Sequence, residues 1–495
     1  MPAMTTAQPV LEAAALIADT EEEILRLVGD HDESTAGVYA MIRYHLGLDG
    51  SGAAAGKRMR PLLGLLAYAS IAGDYKRALP GAAAVTALRE AAFHRFETEG
   101  LPHRRVEEWK YTDLRALMRD AKPLADAPDA AAKARARQAM AVLSSIEART
   151  VVFVDGVFAP ELSDLADLEA GLTIGSMAQG LASGDPHLVA HLGKLITTDD
   201  VAVALNTAFM GDGAVIRVAE GAALARPIHL VFVNAGKEPA SVFVRSLVMI
   251  EKGARAMLVE SHIGSNGDED QVNAALELKV GDAAHVDHVK ITGRGAGALH
   301  VSTLMATVGA HARFNEFLFT TGGAVVRNQL FVRFTGEGTV AGIRGASLLK
   351  GRQHADTTLV ADHAVADCTS REVFKSVLDD EGRSVFQGKI IVRRHAQKTD
   401  AKMTTHALLL SDTAEADNKP ELEIFADDVQ CGHGATSGDL DEDLLFYLRA
   451  RGIPANEAEA LLIQAFVGEA VEGIEHAGLR DALMDQVVAW LAARK

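Results

Sequence analysis

Cysteine is nearly absent: Cys368 and Cys431 are the only two in 495 residues. A disulfide framework is thereby excluded, and a reducing cytoplasm is the expected setting. No Cys-x-x-Cys pair exists, so the chain alone cannot supply an ordinary four-thiolate site for zinc or an iron–sulfur cluster. Aromatics make up only 5%, too few for an aromatic-rich recognition surface. Basic residues number 49 against 67 acidic ones, for a net charge of −18. Bulk attraction to nucleic acid or an anionic membrane is therefore unfavourable, and neither is expected as a partner. The apolar stretch at 62–72 is broken by Tyr68 and Ser70 and is too short to span a bilayer. No basic segment followed by an apolar run opens the sequence, so no signal peptide is expected. Gly-x-Ser-x-Gly, the P-loop and the dinucleotide fingerprint are all missing, which leaves hydrolase, ATPase and oxidoreductase readings without an anchor.

What is present is a core-forming composition, 48% hydrophobic with 44 glycines, in a chain long enough for two or three units. Residues 11–28 and 61–71 carry apolar residues at helical spacing, and Glu21–Glu23 after Thr20 suit a capped first turn. Residues 85–150 read as helical again, broken by the Gly100-Leu-Pro turn. At Thr150 the character changes. Val151–Phe158 predicts a hairpin, with β-branched and aromatic residues flanking an Asp155-Gly156 turn. Residues 175–210 read as helical, and from Ala214 to Ile424 the sequence is nearly all strand and turn.

Gly221, Gly253, Gly281, Gly309 and Gly338 follow one another at intervals of 32, 28, 28 and 29 residues, each between short strand-like runs. Turns at that interval predict a solenoid whose coils stack, glycine serving where backbones approach closely. An antiparallel sandwich, with turns nearer 8–12 residues apart, is the competing reading. The tail 441–495 is amphipathic and helical.

The most informative short segment is Phe425–Gly438. In a strand, residues two apart share a face, so Cys431 and His433 project together. Thiolate beside imidazole suits a soft or borderline metal such as iron or zinc. Two ligands do not close a site, so a second chain or a substrate must complete it. Asp427 and Asp428 are candidates to hydrogen-bond the imidazole. The alternative is a packed Cys431 and a hydrogen-bonded edge His433 with no metal role. Cys368, with no histidine near it in sequence, reads as inert packing. His354, His363, His395 and His406 lack ligand spacing and read as structural or surface residues.

Several segments carry a family resemblance. Leu101-Pro-His-Arg-Arg-Val-Glu-Glu-Trp-Lys-Tyr-Thr-Asp-Leu-Arg115 resembles the opening motif of the SufB/SufD family of iron–sulfur cluster assembly scaffolds. Ser384–Ile390, Gln397–Lys402, Asn418–Ile424, Ala426–Thr436 and Leu445–Ile453 follow in the family's order, and the match covers roughly residues 88–495. The Cys431-Gly-His-Gly-Ala-Thr436 form is more similar to the SufD branch than to the SufB branch. The resemblance implies a mainly β fold with α: a right-handed parallel β-helix core, 211–440, flanked by helical domains at 88–210 and 441–495. It further implies a non-catalytic subunit of the SUF (SufBCD) complex that pairs with SufB through the end of its β-helix. The ATPase SufC would dock on the C-terminal helices. A transient iron–sulfur cluster would form at the interface with SufB. On this reading His433 matches the family's functional histidine and Cys431 is the neighbouring interface cysteine.

Residues 1–87 resemble something else. Gly56-Lys-Arg-Met-Arg-Pro61 and Ala78–Val85 are similar to the start of a polyprenyl diphosphate synthase, where Lys57 and Arg60 would contact a diphosphate. No Asp-Asp-x-x-Asp motif occurs anywhere in the chain, so nothing would hold the Mg²⁺ ions that chemistry needs. A fused, vestigial extension is the reading; a helical pair with one basic turn is the simpler one. A purely structural β-helix adaptor remains the alternative for the rest of the chain.

Overall fold

The computed structural model describes residues 79–140, 147–264 and 269–494. The helices expected at 11–28 and 61–71, with Lys57 and Arg60, lie outside the described residues. The helices are α1 (Leu79–Glu99), α2 (Leu114–Leu117), α3 (Ala130–Ala139), α4 (Met177–Ser183), α5 (Pro186–His191), α6 (Val201–Phe209), α7 (Glu442–Arg449), α8 (Ala455–Val471) and α9 (Ala477–Ala492). The first strands are β1 (Arg149–Val154), β2 (Val157–Phe158), β3 (Leu172–Ser176), β4 (Ala214–Val218), β5 (Ile228–Asn234) and β6 (Ser241–Ile250). Then come β7 (Arg255–Gly264), β8 (Gln271–Val280), β9 (His285–Gly293), β10 (Leu299–Val308), β11 (Arg313–Thr320), β12 (Val325–Phe334) and β13 (Val340–Leu349). The last are β14 (His354–His363), β15 (Thr369–Leu378), β16 (Arg383–Val392), β17 (Asp400–Leu409), β18 (Glu415–Ile424) and β19 (Gln430–Gly438).

One compact unit joins the described residues up to Gly100 with Gly175–Met210. Here α1 packs on α6, with Phe93 edge-on to Phe209 at 6.3 Å. Arg89 donates to the Met210 carbonyl at 2.7 Å, and Arg95 donates to that of Thr198 at 3.1 Å. Asp200 caps α6 by accepting from the amides of Ala202 and Val203, which satisfies donors left free at a helix start.

The other unit, Leu101–Ile174 and Gly211–Lys495, is a parallel β-solenoid. Odd-numbered strands, with β2, form a ten-stranded sheet ordered β19-β17-β15-β13-β11-β9-β7-β5-β1-β2. The even-numbered strands with β3 form a nine-stranded sheet ordered β18-β16-β14-β12-β10-β8-β6-β4-β3. Each coil contributes one strand to each sheet, and the pairs β4–β5 to β18–β19 make about eight turns. The antiparallel sandwich is thereby set aside, since every long pairing is parallel. The solenoid's sheet begins before residue 211: β1 pairs in parallel with β5, Val151 opposite Leu230. The expected hairpin is also there, β1 and β2 pairing antiparallel with Val154 opposite Val157.

The corners explain the glycine spacing. Gly221 and Gly253 turn with positive φ, while a Cβ on Gly281 would sit 2.7 Å from the Lys252 amide nitrogen of the preceding coil. Between the sheets, Leu, Ile, Val, Phe and Ala from successive coils stack into one continuous core. Each fully buried Leu, Ile, Val or Phe contributes about 1.5–3 kcal/mol. Both faces of the sheets are covered in places, which is why β6 is buried at all ten positions and shows no alternation. Helices α8 and α9 cover the outer face of the ten-stranded sheet, joining Val259, Val289, Phe317, Leu348 and Val377 to Ile463, Val467, Leu483 and Trp490. No helix among the described residues is long and apolar enough to cross a membrane.

Candidate functional site

The candidate site residues Cys431 and His433 lie on β19, the outermost strand of its sheet. β19 pairs with β17 on one side, and no strand among the described residues pairs with its other edge. In β17 Ala401, Met403, Thr405 and Ala407 alternate as buried side chains of one face, with Leu408 buried on the other, and the register sets Ala401 opposite Cys431 and Met403 opposite His433. Cys431 and His433 therefore continue the lumen-facing side of the wall, as their two-residue spacing predicts. Cys431 is half-buried and packs against the lumen core, whereas His433 is exposed because no further coil covers it. The neighbouring edge strand β18 ends at Ile424, 40% exposed, and Phe425 just after it is 59% exposed. The last coil thus presents apolar lumen residues, free backbone edges and a thiol–imidazole pair on one open end.

Burial pushes the Cys431 thiol upward, and the carboxylates of Asp400 and Glu372 reinforce the shift. An unassisted thiol here stays protonated at neutral pH; a metal or an incoming cationic group must displace its proton. Among the described residues, no third His, Cys, Asp or Glu stands close enough to Cys431 and His433 to complete a set of three donors. Asp428 does not serve His433: it is paired with Lys398 in the turn before β19, and its amide donates to the Gln397 side chain at 2.9 Å.

Beneath the pair, Glu372, Met403 and His433 occupy successive coils in register. Met403 fits there because Gly388 has no side chain; a Cβ on Gly388 would lie 2.2 Å from the Met403 sulfur. Glu372 is fully buried with neither carboxyl oxygen hydrogen-bonded, and burial pushes it up to about 7. Sequence alternation gave Glu372 no distinction from an outward-facing glutamate. Only the register shows it in the lumen.

The remaining cysteine and histidines behave as packing or structural residues. Cys368 is fully buried in the lumen core, its sulfur 3.5 Å from the Gly336 carbonyl oxygen, and burial raises its thiol. His363 stacks on Phe334 at 4.2 Å and bonds Ser370 at 3.0 Å, while His395 is exposed. His354 bonds Thr112 at 3.1 Å, and His406 bonds Thr436 at 2.6 Å. Further down the solenoid a second polar group, unforeseen from sequence, lines the lumen. Buried His288 lies between Glu316, 2.7 Å from Nδ1, and Glu260, 3.5 Å from Nε2. Burial opposes its charge, but these carboxyls push His288 up to about 10. Lys290 bonds Asn328 at 2.9 Å and the Ser302 hydroxyl. On the outer face, His285, Asp287 and Glu475 bring three donors within 4.8 Å of one another. Arg255 and Arg313 already neutralise Glu475 there, at 3.4 and 3.9 Å, which disfavours a cation.

Comparison with known proteins matches this architecture. Residues 232–466 fit the family model for the SUF system FeS cluster assembly SufBD core domain, and residues 78–230 fit that of the SufBD protein N-terminal region. The iron–sulfur cluster assembly protein SufD of Escherichia coli is 31% identical over 393 residues, 78% of this chain and 89% of that protein. An iron–sulfur cluster assembly SufBD family protein of Synechocystis is 33% identical over 394 residues, covering 77% and 86%. The two sheets, the open coil and these matches together make the chain a SufD-like member of the SufBD family of the SUF iron–sulfur cluster assembly system.

Proposed function

We infer that this chain is a non-catalytic scaffold of a cytoplasmic SufBCD-type complex, with neither nucleic acid nor membrane as partner. Its open solenoid end pairs with a SufB subunit, and a transient iron–sulfur cluster is built across that joint. Cys431 and His433 supply this chain's share of the ligands, His433 being the more accessible. The C-terminal helices dock a SufC ATPase, which would provide the only ATP hydrolysis in the assembly.

The observation that carries this reading is the placement of a thiol and an imidazole on the lumen side of a terminal coil that no strand among the described residues extends. A half-site on an unpaired edge calls for a second sheet to extend the solenoid and complete the coordination. The edge also gives the partner its register through backbone hydrogen bonds. The test is co-expression with SufB and SufC partners, anaerobic purification, and iron and sulfide assays. His433→Ala should leave the complex intact and abolish cluster accumulation, because its exposed ring adds nothing to the core. Normal iron loading in that variant would defeat the assignment.

A further inference from the structure

Strand β19 is poorly equipped to hold its own position. Three of its nine residues, Gly432, Gly434 and Gly438, are glycines with open space where a side chain would stand. Such glycines weaken a strand because they keep backbone freedom and pack nothing. One edge of β19 is unpaired. Two side chains anchor it from opposite faces. Cys431 packs inward on the lumen core, and Thr436 points outward, where its hydroxyl meets His406 Nδ1 at 2.6 Å. His433 lies between the two anchors.

The outward anchor is part of a column. Lys375, His406 and Thr436 occupy the same register position on β15, β17 and β19. Lys375 is itself fixed from behind: it is ion-paired with Glu469 of α8 and lies 4.4 Å from the centre of the Phe466 ring. His406 thus sits in register between the immobilised Lys375 on one side and Thr436 on the other.

The geometry points to His406 as a positioning residue that, through Thr436, sets the place of β19 and hence of Cys431 and His433. This rests on the reading of Cys431 and His433 as the working pair. His406 touches neither of them and contributes no ligand; its effect is to limit opening of a glycine-rich edge.

The direct test measures the strand and not the cluster. Full-length protein is labelled with iodoacetamide and the rate at Cys431 is read by peptide mass spectrometry. Loss of one hydrogen bond, near 1 kcal/mol, should raise the rate roughly fivefold in His406→Ala and in Thr436→Val. His406→Asn keeps a nitrogen near Nδ1, and Thr436→Ser keeps the hydroxyl, so both should stay within about twofold of the parent. Amide exchange should quicken across β19 and remain unchanged in β15, which separates local opening from global destabilisation. Unchanged labelling in both His406→Ala and Thr436→Val overturns the assignment. In the co-expressed complex, His406→Ala should lower iron per chain and His406→Asn restore it; faster labelling with full iron loading would break the link to the site. His433→Ala with normal iron would sink the scaffold reading instead, whatever the labelling rates show.

Discussion

The Trp109 ring lies under the Arg327 guanidinium, whose central carbon is 4.0 Å from the ring centre, and both side chains are buried. Arg327 also pairs with Asp356 and donates to the Glu108 carbonyl at 2.6 Å, while the Thr112 hydroxyl donates to Asp356 at 2.6 Å. Gln387 adds a donor to the Glu108 carbonyl at 3.2 Å. The Glu107–Thr112 segment is thereby clamped onto the outer face of β12, β14 and β16. This is the physical content of the motif at 101–115: it fastens a loop to the solenoid.

Trp109→Ala should therefore destabilise by about 3–5 kcal/mol, combining a large cavity with a lost cation–π contact. Arg327→Ala should be comparably severe because it strands Asp356 as a buried, uncompensated charge. Arg327→Lys should rescue little, since a single ammonium cannot serve the ring, Asp356 and Glu108 together. Denaturant unfolding of the three variants checks this. A loss below 1 kcal/mol in Trp109→Ala would show that the segment is dispensable to the fold.

Glu372 gives a pH signature. Its ordinary value is 4.5 and burial raises it to about 7 in the folded chain. Between those values the folded protein holds a proton that the unfolded chain has released. Stability from this group is therefore intact below about pH 4.5 and declines as pH rises through 7, by at most roughly 3 kcal/mol. Glu372→Gln removes the titration and should flatten that slope, making the variant the more stable of the two at pH 8. Parallel stability–pH curves for the two proteins would refute the buried neutral carboxyl.

Acid should act in the opposite direction through histidine. Burial lowers His229, His262 and His363 from 6.5 to about 4, partly offset by Glu260 at His262 and by Asp362 at His363. All three are neutral in the fold and become charged once unfolded below 6.5. Their contribution is present above 6.5 and is lost as pH falls through 4, roughly 3 kcal/mol each as an upper figure. His300 and His354, which burial also lowers, act with them against Glu372, Glu316 and Asp155, whose carboxyls burial raises, so stability should fall between pH 6.5 and 4. His363→Gln removes one of these terms and should shallow the fall, measured by thermal unfolding across that range. An identical acid limb would mean that His363 is already protonated in the fold.

The sequence made the repeat legible because glycine spacing is local and each turn needs a residue without a Cβ. Strand β6 was readable for the same kind of reason, a local run rich in β-branched and apolar residues interrupted by Arg245-Ser246. The lumen's contents were not readable. Glu260, His288 and Glu316 alternate as surface residues would, and only stacking across coils puts them indoors. Cys431 and His433 were legible as a same-face pair. That this face is the inside of the wall, and that the wall stops there, depends on β17 lying next to β19 and on no strand among the described residues pairing beyond it. The family motifs marked Gly388 and Asn418 without a cause. The structure supplies one: Gly388 makes space for Met403, and Asn418 accepts from Thr405 at 2.9 Å.

The docking role proposed for the C-terminal helices can be tested apart from the packing role that the structure gives them. Removing 442–495 outright would uncover Val259, Val289, Phe317, Leu348 and Val377 on the outer sheet face, so lost partner binding would report misfolding. Helix α7 offers a cleaner probe. Its Leu444, Phe446 and Tyr447 are more than half exposed, Phe446 at 73%, and no residue of α7 is buried. An apolar trio held open on a short helix capped by Asp441 is costly in water unless a partner covers it. Phe446→Asp should leave the melting temperature within about a degree, since an exposed site contributes little to the core. The same variant should weaken capture of a SufC partner by a factor of about 30 or more, the scale of a central aromatic contact worth at least 2 kcal/mol. Trp490→Ala, in the covered layer, should show the reverse pattern, a lower melting temperature with docking retained below the transition. If Phe446→Asp binds the ATPase as the parent does, the exposed face of α7 is not the docking surface and the proposed site is lost.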